Sequence, residues 1–70
     1  MVANKDKLMG KIVENRFTQR DFAQKMEMSV PTLRAKMISE GYEFTIGESL
    51  KARDLLHLTT EEYLEIFINF

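Results

Sequence analysis

A short polar residue suited to start a helix recurs along this chain at intervals of 11 to 16 residues: Asn4, Thr18, Ser29, Thr45 and Thr59. Such a side chain accepts from a backbone N–H two or three residues on, one of the donors a helix leaves unpaired at its start. Three of the five carry a carboxylate three residues later, Asp21, Glu48 and Glu62, the spacing of a capping box. Ser29 is followed by Pro31, whose missing N–H is harmless in a first turn. The chain is thus divided into short helices. It has no room for a long coiled coil, and strand signals are weak through most of it.

The apolar spacing agrees. A first helix is expected over roughly residues 5–14, with Leu8, Met9, Ile12 and Val13 in two apolar ridges. A second runs from Thr18 to near Lys25 or Met26, burying Phe22, Ala23 and Met26. A third runs from Ser29 to near Ile38, with Leu33 and Met37 inward and a stop over Ser39, Glu40 and Gly41. Tyr42, Glu43 and Phe44 read as an extended connector tucking its aromatics onto the core. A fourth helix reaches about Leu56 on an arc of Ile46, Leu50, Ala52 and Leu56, interrupted by Ser49 and Arg53. A fifth follows Thr59 with Tyr63, Leu64 and Phe67. The tail over residues 66–70 is β-branched and aromatic and fits either the end of that helix or a short extended segment.

Seventy residues make one small domain. Without cysteine there is no disulfide or thiolate metal site, and the single histidine, His57, builds no zinc site. No cofactor is expected. No apolar run is long enough to cross a bilayer. Lys5, Asp6, Lys7 and Lys11 interrupt any signal-peptide core, so the expected location is intracellular. No nucleophile elbow or Gly-rich phosphate loop is present, and Glu61 and Glu62 suit a helix N-terminus rather than an acid/base pair. A deep enzymatic cleft does not fit so short a chain, and the protein is not expected to be an enzyme.

The net charge of −1 conceals an asymmetry. Residues 1–37 hold eight Lys/Arg against four Asp/Glu, a balance of +4. Residues 38–70 hold two against seven, a balance of −5. A basic front half suits an anionic partner, although solvated helix charge gives the same count.

Within that half, residues 18–37 place two short helices around a minimal turn, a helix-turn-helix pattern. Ala23 is small where the helices cross, and Met26 and Leu33 are apolar where the pair must lock. The second helix of such a pair lies in the major groove with its N-terminal half toward base edges. With Leu33 and Met37 inward, spacing puts Val30, Pro31, Arg34 and Ile38 on the outward side, bordered by Ala35. Arg34 suits bidentate contact with guanine O6 and N7, and Val30 and Pro31 suit thymine methyls. Ser29 and Thr32 can each reach either a base edge or a phosphate. Lys11, Arg20 and Lys36 are candidate phosphate neutralisers, which position without specifying. Other readings stand beside these. Arg34 could be solvated or paired with Glu27 or Glu40, and Val30, Pro31 and Ile38 could meet a protein partner.

This segment resembles the repressor-like helix-turn-helix family that includes phage Cro proteins and many bacterial XRE-type regulators. Glu43-Phe44-Thr45 and the ending over residues 61–67 extend the resemblance over most of the chain, toward small phage Cro-like proteins of Gram-positive hosts. The resemblance implies an all-α, four- to five-helix, lambda-repressor-like domain over residues 1–70, with its helix-turn-helix at about 18–38. It implies operator DNA as the partner and a backbone-phosphate contact for Gln19, with Thr18 beside it. The family usually has Gly in the turn, where this chain has Glu27; either the turn is rebuilt or Glu27 takes a left-handed backbone.

The function expected is a sequence-specific, double-stranded DNA-binding transcriptional regulator in the cytoplasm of a bacterial or phage-infected cell. It would act as a homodimer on a palindromic site, excluding polymerase, with no membrane and no small-molecule effector involved. Phe67, Ile68 and Phe70 are the candidate dimer surface, with burial in their own core as the other reading. The alternative function is a protein-interaction module of the same fold, antirepressor or antitoxin-like.

Overall fold

The computed structural model describes residues 1–68, and these form five helices with no strand among them. The helices are α1 (Lys5–Glu14), α2 (Gln19–Lys25), α3 (Val30–Met37), α4 (Ile46–Leu56) and α5 (Thr60–Phe67). Each begins where a capping side chain was expected. Asn4, Thr18, Ser29, Thr45 and Thr59 each accept from the backbone N–H three residues on. Asp21, Glu48 and Glu62 complete reciprocal capping boxes.

The ends of α1 to α4 share a device the sequence hides. Arg16, Glu27, Ser39 and His57 all have φ between 52° and 63°, the left-handed region that favours glycine. After each, an N–H reaches back five residues: Phe17 to Ile12, Met28 to Ala23, Glu40 to Ala35 and Leu58 to Arg53. These are Schellman closures built without glycine. Glu27 therefore takes the left-handed backbone in the α2–α3 turn.

The core collects Leu8 and Ile12 from α1, Phe22 and Ala23 from α2, and Leu33 and Met37 from α3. It is completed by Phe44, by Ala52 and Leu56 of α4, and by Ile66 and Phe67 of α5. Helix α1 packs along α5, and α2 along α3. The chain start is pinned to the same core. The Asn4 N–H donates to the Ile66 carbonyl, and the Met1 ammonium to the Phe44 carbonyl at 2.8 Å. Asn15 Nδ2 donates to the Leu56 carbonyl, tying the end of α1 to the end of α4.

Several expectations are corrected by this packing. Helix α4 is turned so that Ser49, Ala52 and Leu56 face inward, while Ile46 is 67% exposed and Leu50 lies at the surface. A serine is tolerated in the core because its hydroxyl is satisfied. Ser49 Oγ donates to the Ile46 carbonyl at 2.7 Å and accepts from the Tyr63 hydroxyl at 2.7 Å. Of the connector aromatics, Phe44 is buried and Tyr42 is exposed. Val13 is exposed, so only one ridge of α1 is inward. Phe67, a candidate dimer contact, is 2% exposed and stacks edge-on against Phe44 with ring centroids 5.6 Å apart. It belongs to this chain's own core. Ile66 and Phe67 finish the last helix instead of forming an extended tail. Ile68 is exposed, and Phe70 lies outside the described residues.

Candidate nucleic-acid interface

The outward side of α3 and the start of α2 meet at one pair of side chains. Gln19 is the first residue of α2, directly after the Thr18 cap, and Arg34 lies in the second turn of α3. Arg34 Nε donates to Gln19 Oε1 at 3.0 Å. Among the described residues the terminal amines of Arg34 meet no protein acceptor, and Arg34 pairs with neither Glu27 nor Glu40. The planar fork is thus held at its inner nitrogen and open at its outer edge, the edge used for bidentate contact.

Beside this pair is an open cleft of about 340 Å³ lined by Lys5, Met9, Gln19, Arg34, Met37 and Ile38. Its floor is apolar and its two charged walls, Lys5 and Arg34, are cationic. Lys5 and Met9 were not singled out as site residues. They are four apart on one helix face, so their mutual proximity was readable. Their proximity to α3 was not, because it depends on how α1 is docked.

Ser29 and Thr32 are engaged with each other at the start of α3, with Ser29 Oγ donating to Thr32 Oγ1 at 2.9 Å. Thr18 is occupied by its capping box. Pro31 and Ile38 are exposed, whereas Val30 is half-buried against the core and Ala35 is half-buried too. The outward apolar face is therefore narrower than spacing suggested.

The cations divide cleanly. Lys5, Arg16, Arg20, Lys25 and Arg34 form no ion pair among the described residues, and all five lie in α1, α2, α3 or the turn after α1. The other five are paired. Lys7 meets Glu65, Lys11 meets Glu14 and Glu62, Lys36 meets Glu48, Lys51 meets Glu27, and Arg53 meets Asp54. Two expected phosphate neutralisers are thereby taken up inside the molecule. Lys36 Nζ lies 2.6 and 2.7 Å from the two Glu48 oxygens, and Lys11 bridges α1 to α5. Arg20 remains open.

The pairs leave a mark on protonation. Hydrogen bonds from Lys11 and the Thr59 N–H hold the Glu62 carboxyl below its usual range, and Glu62 and Glu14 raise Lys11 in return. Burial pushes Glu48 up, but Lys36 and the Thr45 N–H together outweigh it and the net direction is down. The Thr18 N–H lowers Asp21.

No model of a known protein family matches the chain, and no curated protein matches it. No helix among the described residues is long and apolar enough to cross a membrane, and no group of three or more metal-ligating side chains gathers there.

Proposed function

We propose that α2 and α3 form a helix-turn-helix of the lambda-repressor-like kind and that the protein is a sequence-specific DNA-binding transcriptional regulator. In this reading α3 enters the major groove, and Arg34 reads a guanine through its open edge. Gln19 and Arg20 meet the backbone on one side, and Lys5, Arg16 and Lys25 add positive charge nearby. The observation that carries the reading is the division of cations: among the described residues every unpaired lysine or arginine lies on the α1–α3 part of the chain, and one of them is braced by Gln19.

One copy offers few phosphate contacts, so tight binding calls for a dimer on a palindromic site with half-sites about 34 Å apart. Regulation follows by exclusion of polymerase from an overlapping promoter in a bacterial cytoplasm. The test is selection of bound duplexes from a random pool with the wild-type chain. A palindromic consensus with salt-sensitive binding supports the reading, and failure to enrich any sequence overturns it.

A second reading, an antirepressor- or antitoxin-like interaction module of the same fold, draws support from Ile46 and Tyr42, which are more than half exposed. It predicts salt-insensitive capture of another regulator and no duplex binding.

A further inference from the structure

We propose that Met9 is a positioning residue for Arg34: its thioether sulfur fixes the orientation of the Gln19 amide, which in turn fixes the guanidinium. The series is continuous. Gln19 Nε2 donates to Met9 Sδ at 3.5 Å, and Gln19 Oε1 accepts from Arg34 Nε at 3.0 Å. All three side chains line the same cleft.

An amide has a donor end and an acceptor end, and turning it over exchanges them. With the amide reversed, its NH2 would face the Arg34 N–H, two donors together, and its oxygen would face the sulfur, two acceptors together. The sulfur and the guanidinium thus select the same orientation from opposite ends. The Arg34 Nε–H favours the oxygen end by itself, and the sulfur adds a second hold on the amide from a different helix. Met9 comes from α1, whose first turns are pinned by the Asn4 cap and by the Asn4 to Ile66 backbone bond. Its half-buried stem packs on the core while its sulfur meets the amide. The brace on Arg34 therefore extends to a helix outside the α2–α3 pair.

The effect of Met9 on DNA rests on the reading proposed above; the geometry does not. Two variants separate positioning from space-filling. Met9→Leu keeps apolar volume and removes the acceptor. Met9→Gln keeps an unbranched stem of similar reach and restores an acceptor. In the protein alone, NMR of the Gln19 side-chain amide and the Arg34 Nε–H reads the series directly. Met9→Leu is expected to shift the Gln19 amide toward a solvated glutamine and to speed exchange of the Arg34 Nε–H, while Met9→Gln leaves both near wild type. On the selected duplex, Met9→Leu is expected to lower discrimination at the base pair that Arg34→Ala relaxes by ~3-fold, about the worth of one weak hydrogen bond. Its salt slope should not change, and Met9→Gln should retain the discrimination.

If Met9→Leu leaves the amide and guanidinium signals unchanged, the proposal is overturned. It is equally overturned if Leu preserves discrimination and Gln abolishes it, the pattern of an apolar filler. If the wild type enriches no duplex, the DNA reading fails, and the two NMR signals still decide whether Met9 positions Arg34.

Discussion

The cations of α1–α3 meet two opposite circumstances, according to whether the acidic α4–α5 half reaches them. On the α4–α5 side, glutamates hold what lysines they reach: Glu48 takes Lys36, Glu62 takes Lys11 and Glu65 takes Lys7. Also on the α1–α3 side, Lys5, Arg16, Arg20, Lys25 and Arg34 have no carboxylate against them among the described residues. The acidic half thus contributes twice. It ties helices distant in sequence together, and it neutralises Lys7, Lys11 and Lys36 of the basic half.

The largest effect should come from breaking the locked side. Phe67→Ala removes a buried ring packed on Phe44 and Tyr63, a change that costs ~3–5 kcal/mol in a core. A domain this small holds about as much stability in total, so urea titration should find the variant largely unfolded at 25 °C. A folded, monomeric Phe67→Ala with wild-type stability would contradict the assignment of this ring to the core.

Next come substitutions on the open side. Arg34→Ala should lose ~1–3 kcal/mol on the selected duplex and relax preference at one position. Arg20→Ala should weaken all sequences alike and flatten the salt dependence by roughly one unit. Lys36→Ala supplies the contrast: with its ammonium on Glu48, it should leave the salt slope unchanged. An equal slope change for Lys36 and Arg20 would erase the distinction between the two sides.

A smaller effect of opposite sign is expected at the turn joining α2 to α3. Glu27→Gly relieves a left-handed backbone at φ 60° and should stabilise by ~0.5–1 kcal/mol in thermal unfolding, even after losing the exposed Lys51 pair. Duplex binding should not change. A loss of stability would mean that the ion pair outweighs the strain.

The gentlest perturbation is pH. Glu62, Glu48 and Asp21 have folded pKa values below their unfolded ones, so their contributions are present above the unfolded values and fade as pH falls through the folded ones. Lys11 is shifted upward, so its contribution is complete below its ordinary 10.5 and is lost only above that. The melting temperature should be flat near neutrality and decline below pH 4.5, the ordinary glutamate value. Glu62→Gln should reduce that acid decline.

Helix α4 shows where a sequence stops being informative. Ile46 and Leu50 are more apolar than Ser49, and by hydropathy alone they belong inside. The helix instead buries Ala52 and Leu56 with Ser49 beside them, which is tolerated because the Ile46 carbonyl and Tyr63, fourteen residues away, satisfy the hydroxyl. Phe67 shows the converse: an aromatic near a terminus fits a dimer surface and a core equally well until Phe44 is seen to stack on it. Of the candidate site, Arg34, Gln19 and Arg20 were legible from spacing and resemblance. The retirement of Lys11 and Lys36, and the arrival of Lys5 and Met9, were not.

The starts of the five helices were written locally. A capping oxygen, its N–H and the answering carboxylate all lie within three residues, so chain order alone brings them together. Which cations stay open was decided only when the helices docked. Lys11 meets Glu62 and Lys36 meets Glu48 across helix boundaries. Charge pairing falls off with distance through space and not along the chain, and that distance exists only in the assembled fold.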